Sequence, residues 1–181
     1  MDNCKPKHRR YRLRAAVLAA TAVLAAPLAS AGWGGHNRDN NFHWIGSFDV
    51  MAGNGSGVAE IIDVTRNNRQ LVYTDAEKQQ IGFVDIRFPW KPRGQGVVDV
   101  GGEPTSLVIK DPYVLVGVNT SASFTEPSGK LVVVHKNTRQ VVAEYDLGGQ
   151  PDSIALAPDR KRAAIVIENE RDEDLNDGLL P

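Results

Sequence analysis

The sequence predicts an all-β protein built from a repeated four-stranded unit. Three observations carry that expectation. From Ala59 onward, short runs rich in β-branched residues are broken by Gly, Pro, Asn and Asp turn residues. No window of helical length sustains the 3.6-residue apolar period of an amphipathic helix. DVGGEPTSLVI at 99–109 returns as DLGGQPDSIAL at 146–156, an offset of 47 residues.

The strands are expected at 59–64, 71–75, 80–86, 97–100, 106–110, 113–119, 130–135, 141–147, 153–156 and 162–168. The two copies of the repeat match Asp99 to Asp146, Gly101-Gly102 to Gly148-Gly149, Pro104 to Pro151 and Ser106 to Ser153; subtracting the offset of 47 once more lands on Ala59. Four short antiparallel strands per 40–50 residues is the size of one β-propeller blade. The repeats fall near 59–100, 106–147 and 153–181. The Gly-Gly-x-Pro connection would carry the chain from an outer strand to the next inner strand, with glycine permitting positive φ and proline stiffening the turn. Asp85, Asp99 and Asp146, at strand ends, read as structural turn residues that bond backbone amides.

The third repeat holds only its two inner strands, so 58–181 is expected to be a partial β-propeller of about two and a half blades, an incomplete ring. Closed propellers need at least four blades. An open arc leaves unpaired edges and bare apolar faces. The expectation is therefore a fragment of a longer protein, with missing blades to close the ring; self-assembly of several copies is the alternative.

Residues 1–31 read as a secretory signal. Lys5, Lys7, Arg9, Arg10, Arg12 and Arg14 precede the apolar run AAVLAATAVLAAPL at 15–28, and Ala29-Ser30-Ala31 provides the small-x-small pattern for cleavage after Ala31. The run is shorter than the roughly 20 apolar residues that span a bilayer, so no membrane span is expected after cleavage. Arg9-Arg10 leaves Sec and twin-arginine export both open. The sole cysteine, Cys4, leaves with the signal, which excludes a disulfide framework and a Cys-based zinc site. A secreted or periplasmic location follows. The Gly- and Asn-rich stretch 32–57 reads as a flexible leader, with 45–51 as a candidate extra strand.

The chain of 181 residues has a formal net charge of −1. The signal holds six of its 21 bases and one of its 22 acids, which leaves a mature net charge of −6. That balance argues against a nucleic-acid partner, whose phosphates need excess Lys and Arg. Nothing indicates a nucleotide, flavin or haem: there is no P-loop, and no G-x-G-x-x-G opens a helix. No H-E-x-x-H zinc motif and no G-x-S-x-G nucleophile elbow occur. His36 and His43, near Trp33 and Trp44, and His135 at a strand end read as packing or surface residues. Asn54-Gly55-Ser56 and Asn119-Thr120-Ser121 are glycosylation sequons if the source is eukaryotic.

The densest chemistry lies between Glu168 and Asp177, six carboxylates with one base, Arg171. Such crowding is costly unless solvent or a cation screens it. Asp172, Asp174 and Asn176 could converge on Ca²⁺ in a curled loop. An EF-hand is excluded, because its sixth position needs glycine and Asp177 stands there. A calcium loop of another kind and a solvated acidic loop both remain open.

GGQPDSIALAPDRKRAAIVIEN at 148–169 resembles the repeat of YVTN-type bacterial surface propellers, and IVIENERDEDLNDGLLP at 165–181 resembles the secreted phytase-like propellers described as esterase-like. In such propellers acidic side chains at the mouth of the ring hold calcium against a phosphate-rich substrate. The resemblance implies that Glu168, Glu170, Asp172, Asp174 and Asp177 belong to such a mouth. It also implies a calcium-assisted phosphoester hydrolase when full length, with this chain inactive alone and a phosphoester small molecule as substrate. A non-catalytic secreted propeller that binds an envelope protein or glycan is the alternative, since fold alone does not select function.

Overall fold

The computed structural model describes residues 43–51 and 57–169. They form ten strands and no helix: β1 (Ala59–Val64), β2 (Gln70–Asp75), β3 (Gln80–Asp85), β4 (Arg93–Asp99), β5 (Glu103–Lys110), β6 (Tyr113–Asn119), β7 (Gly129–His135), β8 (Gln140–Asp146), β9 (Pro151–Leu156) and β10 (Ala163–Ile167). All pairings are antiparallel between sequence neighbours. They make two four-stranded sheets, β1 to β4 and β5 to β8, and a two-stranded sheet of β9 and β10. Among the described residues no helix is long and apolar enough to cross a membrane.

Each of the ten expected runs coincides with a strand, with shifts at some ends. β4 begins at Arg93, four residues before the expected 97, because Gly94 and Arg93 pair with Val84 and Asp85 beyond an irregularity in register. The sequence RGQG has no β-branched residue to announce that extension. β5 begins at Glu103, and Pro104 is accommodated next to a register shift against β6. The 45–51 stretch forms no strand. Instead it lies over the face of the first sheet, with the Phe48 ring 6.4 Å from that of Tyr73. A chain laid on a face by its side chains leaves its backbone outside the ladder.

The three sheets stack in chain order, with β1 against β5 and β5 against β9. The main core lies between the first two. Val72, Ile81, Phe83 and Val98 meet Leu107, Ile109, Val114, Val116, Val118, Val132 and Val134 there, all nearly solvent-free. Alternation produces this: in β6, Val114, Val116 and Val118 point to the first sheet, while Gly117 faces Pro151 and Ile154 of the third. Hydrogen bonds stitch the stack, Thr105 Oγ1 donating to Pro151 O at 2.6 Å among them. Asp63 Oδ2 accepts from Ile109 N at 2.7 Å, and Ser106 Oγ accepts from Ile154 N at 3.1 Å.

Because the first strands run side by side, the connections fall into two groups. The β2–β3, β4–β5, β6–β7 and β8–β9 connections lie at one end, which carries both Gly-Gly turns. The β1–β2, β3–β4, β5–β6, β7–β8 and β9–β10 connections lie at the other.

Candidate functional site

The Gly-Gly end carries the turns that the repeat singles out. Gly101 and Gly148 have φ of +66° and +67°, a conformation that a side chain disfavours. Each turn is locked by the preceding aspartate: Asp99 Oδ1 accepts from Gly101 N at 2.7 Å, and Asp146 Oδ1 from Gly148 N at 2.8 Å. Asp85, at the opposite end, accepts from Arg87 N at 2.9 Å and pairs with its guanidinium. That guanidinium holds the Asp85 carboxyl below its ordinary range, through hydrogen bonding first. All three aspartates serve the turns.

The ends of the second strands are polar in every sheet. Asp75 is 1% exposed and accepts from Val58 N at 3.1 Å and from Gln80 Nε2 at 3.0 Å. Asn119 Oδ1 accepts from Ser121 N at 2.9 Å. Asn169 Oδ1 accepts from Gln150 N at 2.9 Å, and Glu168 N donates to Gln150 O at 2.9 Å. Beside Asp75, burial foremost and the nearby carboxylate second raise the Tyr73 phenol above its ordinary value.

Around Asn119 this end opens into two adjoining depressions of about 310 and 330 Å³. They share Glu103, Asn119 and Ser121. Thr120 and Gln79 extend the first; Phe124 and Gln150 extend the second. The β6–β7 connection, residues 120–128, forms the outer wall. Ser121 Oγ holds it closed by donating to Ser128 O at 3.2 Å and accepting from Ser128 N at 3.0 Å. Phe124 is 48% exposed at its crest. The lining thus offers one carboxylate, carboxamides and hydroxyls beside a half-bare aromatic ring.

Of the carboxylates expected to form a calcium mouth, Glu168 is exposed just beyond β10 at this same end. Glu170, Asp172, Asp174 and Asp177 lie outside the described residues. Among the described residues no group of three or more His, Cys, Asp or Glu could hold a metal ion. His135 is half-buried, with its ring 5.6 Å from that of Tyr113 and its Nδ1 within 3.3 Å of Thr138 N. His43 is exposed on the wall of an apolar cavity of about 530 Å³ between segment 43–51 and the first sheet, with Trp44, Phe48, Ile62, Leu71 and Tyr73.

Sequence reasoning missed Glu103, Ser121 and Phe124. The signal was present in the repeat: the β2–β3 connection is 76–79, whereas its counterpart in the second unit is 120–128. A connection more than twice as long as its counterpart marks a loop under a separate demand.

No family model matches the chain, and no curated protein matches it. Among solved structures the chain is similar to a functionally unknown protein from Desulfotomaculum acetoxidans DSM 771, at 10% identity and a TM-score of 0.47, over 56% of this chain and 30% of that one. It is also similar to Kuenenia stuttgartiensis hydrazine synthase, at 21% identity and a TM-score of 0.49, over 59% of this chain and 28% of that one. The similarity therefore spans less than a third of either structure's length.

Proposed function

We propose that this chain is part of an exported β-propeller whose Gly-Gly rim is a glycan-binding face. The propeller reading is supported by the four-stranded meanders, the stacking of first strand on first strand, and the 47-residue repeat. Further sheets, from more chain or from other copies, would complete the ring. The observation that carries the binding reading is the double depression at Glu103, Asn119 and Ser121 beneath the exposed Phe124 ring. Carboxylate and carboxamide groups match the donors and acceptors of sugar hydroxyls, and an aromatic ring takes the apolar C–H face of a sugar. Binding to an array of oligosaccharides tests it. The chain retains at least one glycan class, and Phe124→Ala or Glu103→Gln weakens that retention by about tenfold, the loss of one good contact. Retention unchanged in both variants overturns the reading.

A second reading, the calcium-assisted phosphoester hydrolase, is favoured by one observation: Glu168, the first residue of the acidic string in the sequence, lies exposed at this same end. Glu168, Glu170, Asp172, Asp174 and Asp177 would hold the ion, which would neutralise the substrate's phosphate. Calcium that binds only the folded chain raises its melting temperature. Stabilisation abolished by Asp172→Ala with Asp174→Ala selects this reading; no calcium effect at saturating metal rejects it.

A further inference from the structure

The end opposite the Gly-Gly turns has the reverse chemistry. Among the described residues it carries Arg66 and Arg69 between β1 and β2, Arg87, Lys91 and Arg93 around the β3–β4 connection, Lys110 and Lys136 flanking β5–β6 and β7–β8, Arg139, and Arg160, Lys161 and Arg162 between β9 and β10. Its acids are Asp63, Asp85, Asp111 and Asp159, and each is engaged. Asp63 accepts from Ile109 N, Asp85 from Arg87, and Asp111 and Asp159 pair with Lys136 and Arg162. The Gly-Gly end holds ten Asp or Glu from Glu60 to Glu168 against Lys78 and Lys130. Eleven bases against four acids at one end, and two bases against ten acids at the other, make two poles of opposite sign.

On the basic pole the longest connection, residues 86–92, presents aromatic rings to solvent. Phe88 is 59% and Trp90 67% exposed, with ring centroids 5.5 Å apart. The turn is rigid: Lys91 N donates to Phe88 O at 2.8 Å, and Pro89 and Pro92 flank Trp90 and Lys91. Gly46 of the 43–51 segment lies against it, since a Cβ there would come within 2.5 Å of Pro89 O, and its neighbours Trp44 and Ile45 are 83% and 56% exposed. Lys91 and Arg93 beside these rings are exposed, and no described acid forms an ion pair with either.

Exposed Trp and Phe held on a rigid turn gain by entering the lipid headgroup layer, where an indole has both an apolar and a polar surrounding. Lys and Arg next to them gain from anionic headgroups. A protein partner would bury apolar area with fewer unpaired cations, and a polyanion in solution would use the cations but leave the rings in water. We infer that the basic pole docks on an anionic lipid surface, with Phe88 and Trp90 inserted into the headgroup region and Lys91 and Arg93 among the lipid phosphates. The acidic pole and its rim then face away from the membrane. This inference stands apart from the proposed function, because it uses none of the rim residues.

The test uses the full chain with Trp33→Phe and Trp44→Phe, which leaves Trp90 as the sole indole. It is titrated with vesicles of phosphatidylcholine alone and of phosphatidylcholine with phosphatidylglycerol. Trp90 emission moves to shorter wavelength, and acrylamide quenching falls, only with the anionic vesicles. Lys91→Ala with Arg93→Ala raises the lipid concentration at half-saturation by roughly 25-fold, about fivefold per charge. Because the signal comes from Trp90, binding by residues 1–31 does not imitate it. Sedimentation with vesicles while Trp90 emission stays fixed overturns the inference. So does an equal spectral change with heparin, or a titration indifferent to loss of the two charges.

Discussion

The first two sheets have the same strand order and opposite loop economies. In the first, the β2–β3 connection takes four residues and the β3–β4 connection seven; in the second, β6–β7 takes nine and β7–β8 four. Each unit therefore has one long connection, at opposite ends of the stack. The long connection of the first sheet carries Phe88 and Trp90 among basic residues, and that of the second carries Phe124 above a polar depression. The comparison separates what builds the stack, the buried alternation of the strands, from what distinguishes its two poles, the connections.

Two phenylalanines give the widest test of that separation. Phe83 is 1% exposed in the core between the sheets, with Arg139 over its ring. Phe83→Ala is expected to cost about 3–5 kcal/mol, the usual loss for a buried aromatic that leaves a cavity. Phe124→Ala, on an exposed crest, is expected to change stability by no more than about 0.5 kcal/mol. Urea unfolding of both variants reads the difference. Equal losses would mean that the 120–128 connection is part of the core.

Next come the bonds between sheets. Ser106 is 6% exposed, and its hydroxyl is the acceptor for Ile154 N in a buried setting. Ser106→Ala leaves that amide unpaired and is expected to cost about 1–3 kcal/mol. Thr120→Ala, whose hydroxyl meets Ser128 Oγ at 2.8 Å on the exposed connection, is expected to fall below about 1 kcal/mol, because water replaces the lost partner. Melting curves of the two variants rank the sites, and a reversed order would place the stack's cohesion in its connections.

The stack was largely legible from the sequence because its signals are local. Val114, Val116 and Val118 alternate with smaller or half-buried residues, and Asp99-Val100-Gly101-Gly102 repeats as Asp146-Leu147-Gly148-Gly149. What escaped depends on placement. RGQG at 93–96 pairs only because β3 offers it a register. Segment 45–51 reads as a candidate strand, yet it lies on a sheet face with the Phe48 ring against that of Tyr73. Phe88 and Trp90, read along the chain, are two aromatic residues between strands. They become a patch only when the fold gathers Arg66, Arg69 and Arg162 at the same end. Overall charge hid this, since the two poles nearly cancel.

The smallest expected effect concerns the turn at the basic pole. Arg87 lowers the Asp85 carboxyl below its ordinary value, by hydrogen bonding to it more than by charge alone. A carboxyl whose folded value is depressed stabilises the fold fully above its unfolded value, near about 3.9. That contribution fades as pH falls through the lower folded value. Asp85→Asn should therefore melt below the parent chain at neutral pH, and the gap should close as the pH drops below about 4. The effect on stability is modest because Arg87 is largely solvated, which screens the pair. The absence of any gap at neutral pH would assign Asp85's role to its bond with Arg87 N, which an amide oxygen also accepts. In that case the basic pole would owe its turn geometry to backbone capping alone, as the Gly-Gly end does at Asp99 and Asp146.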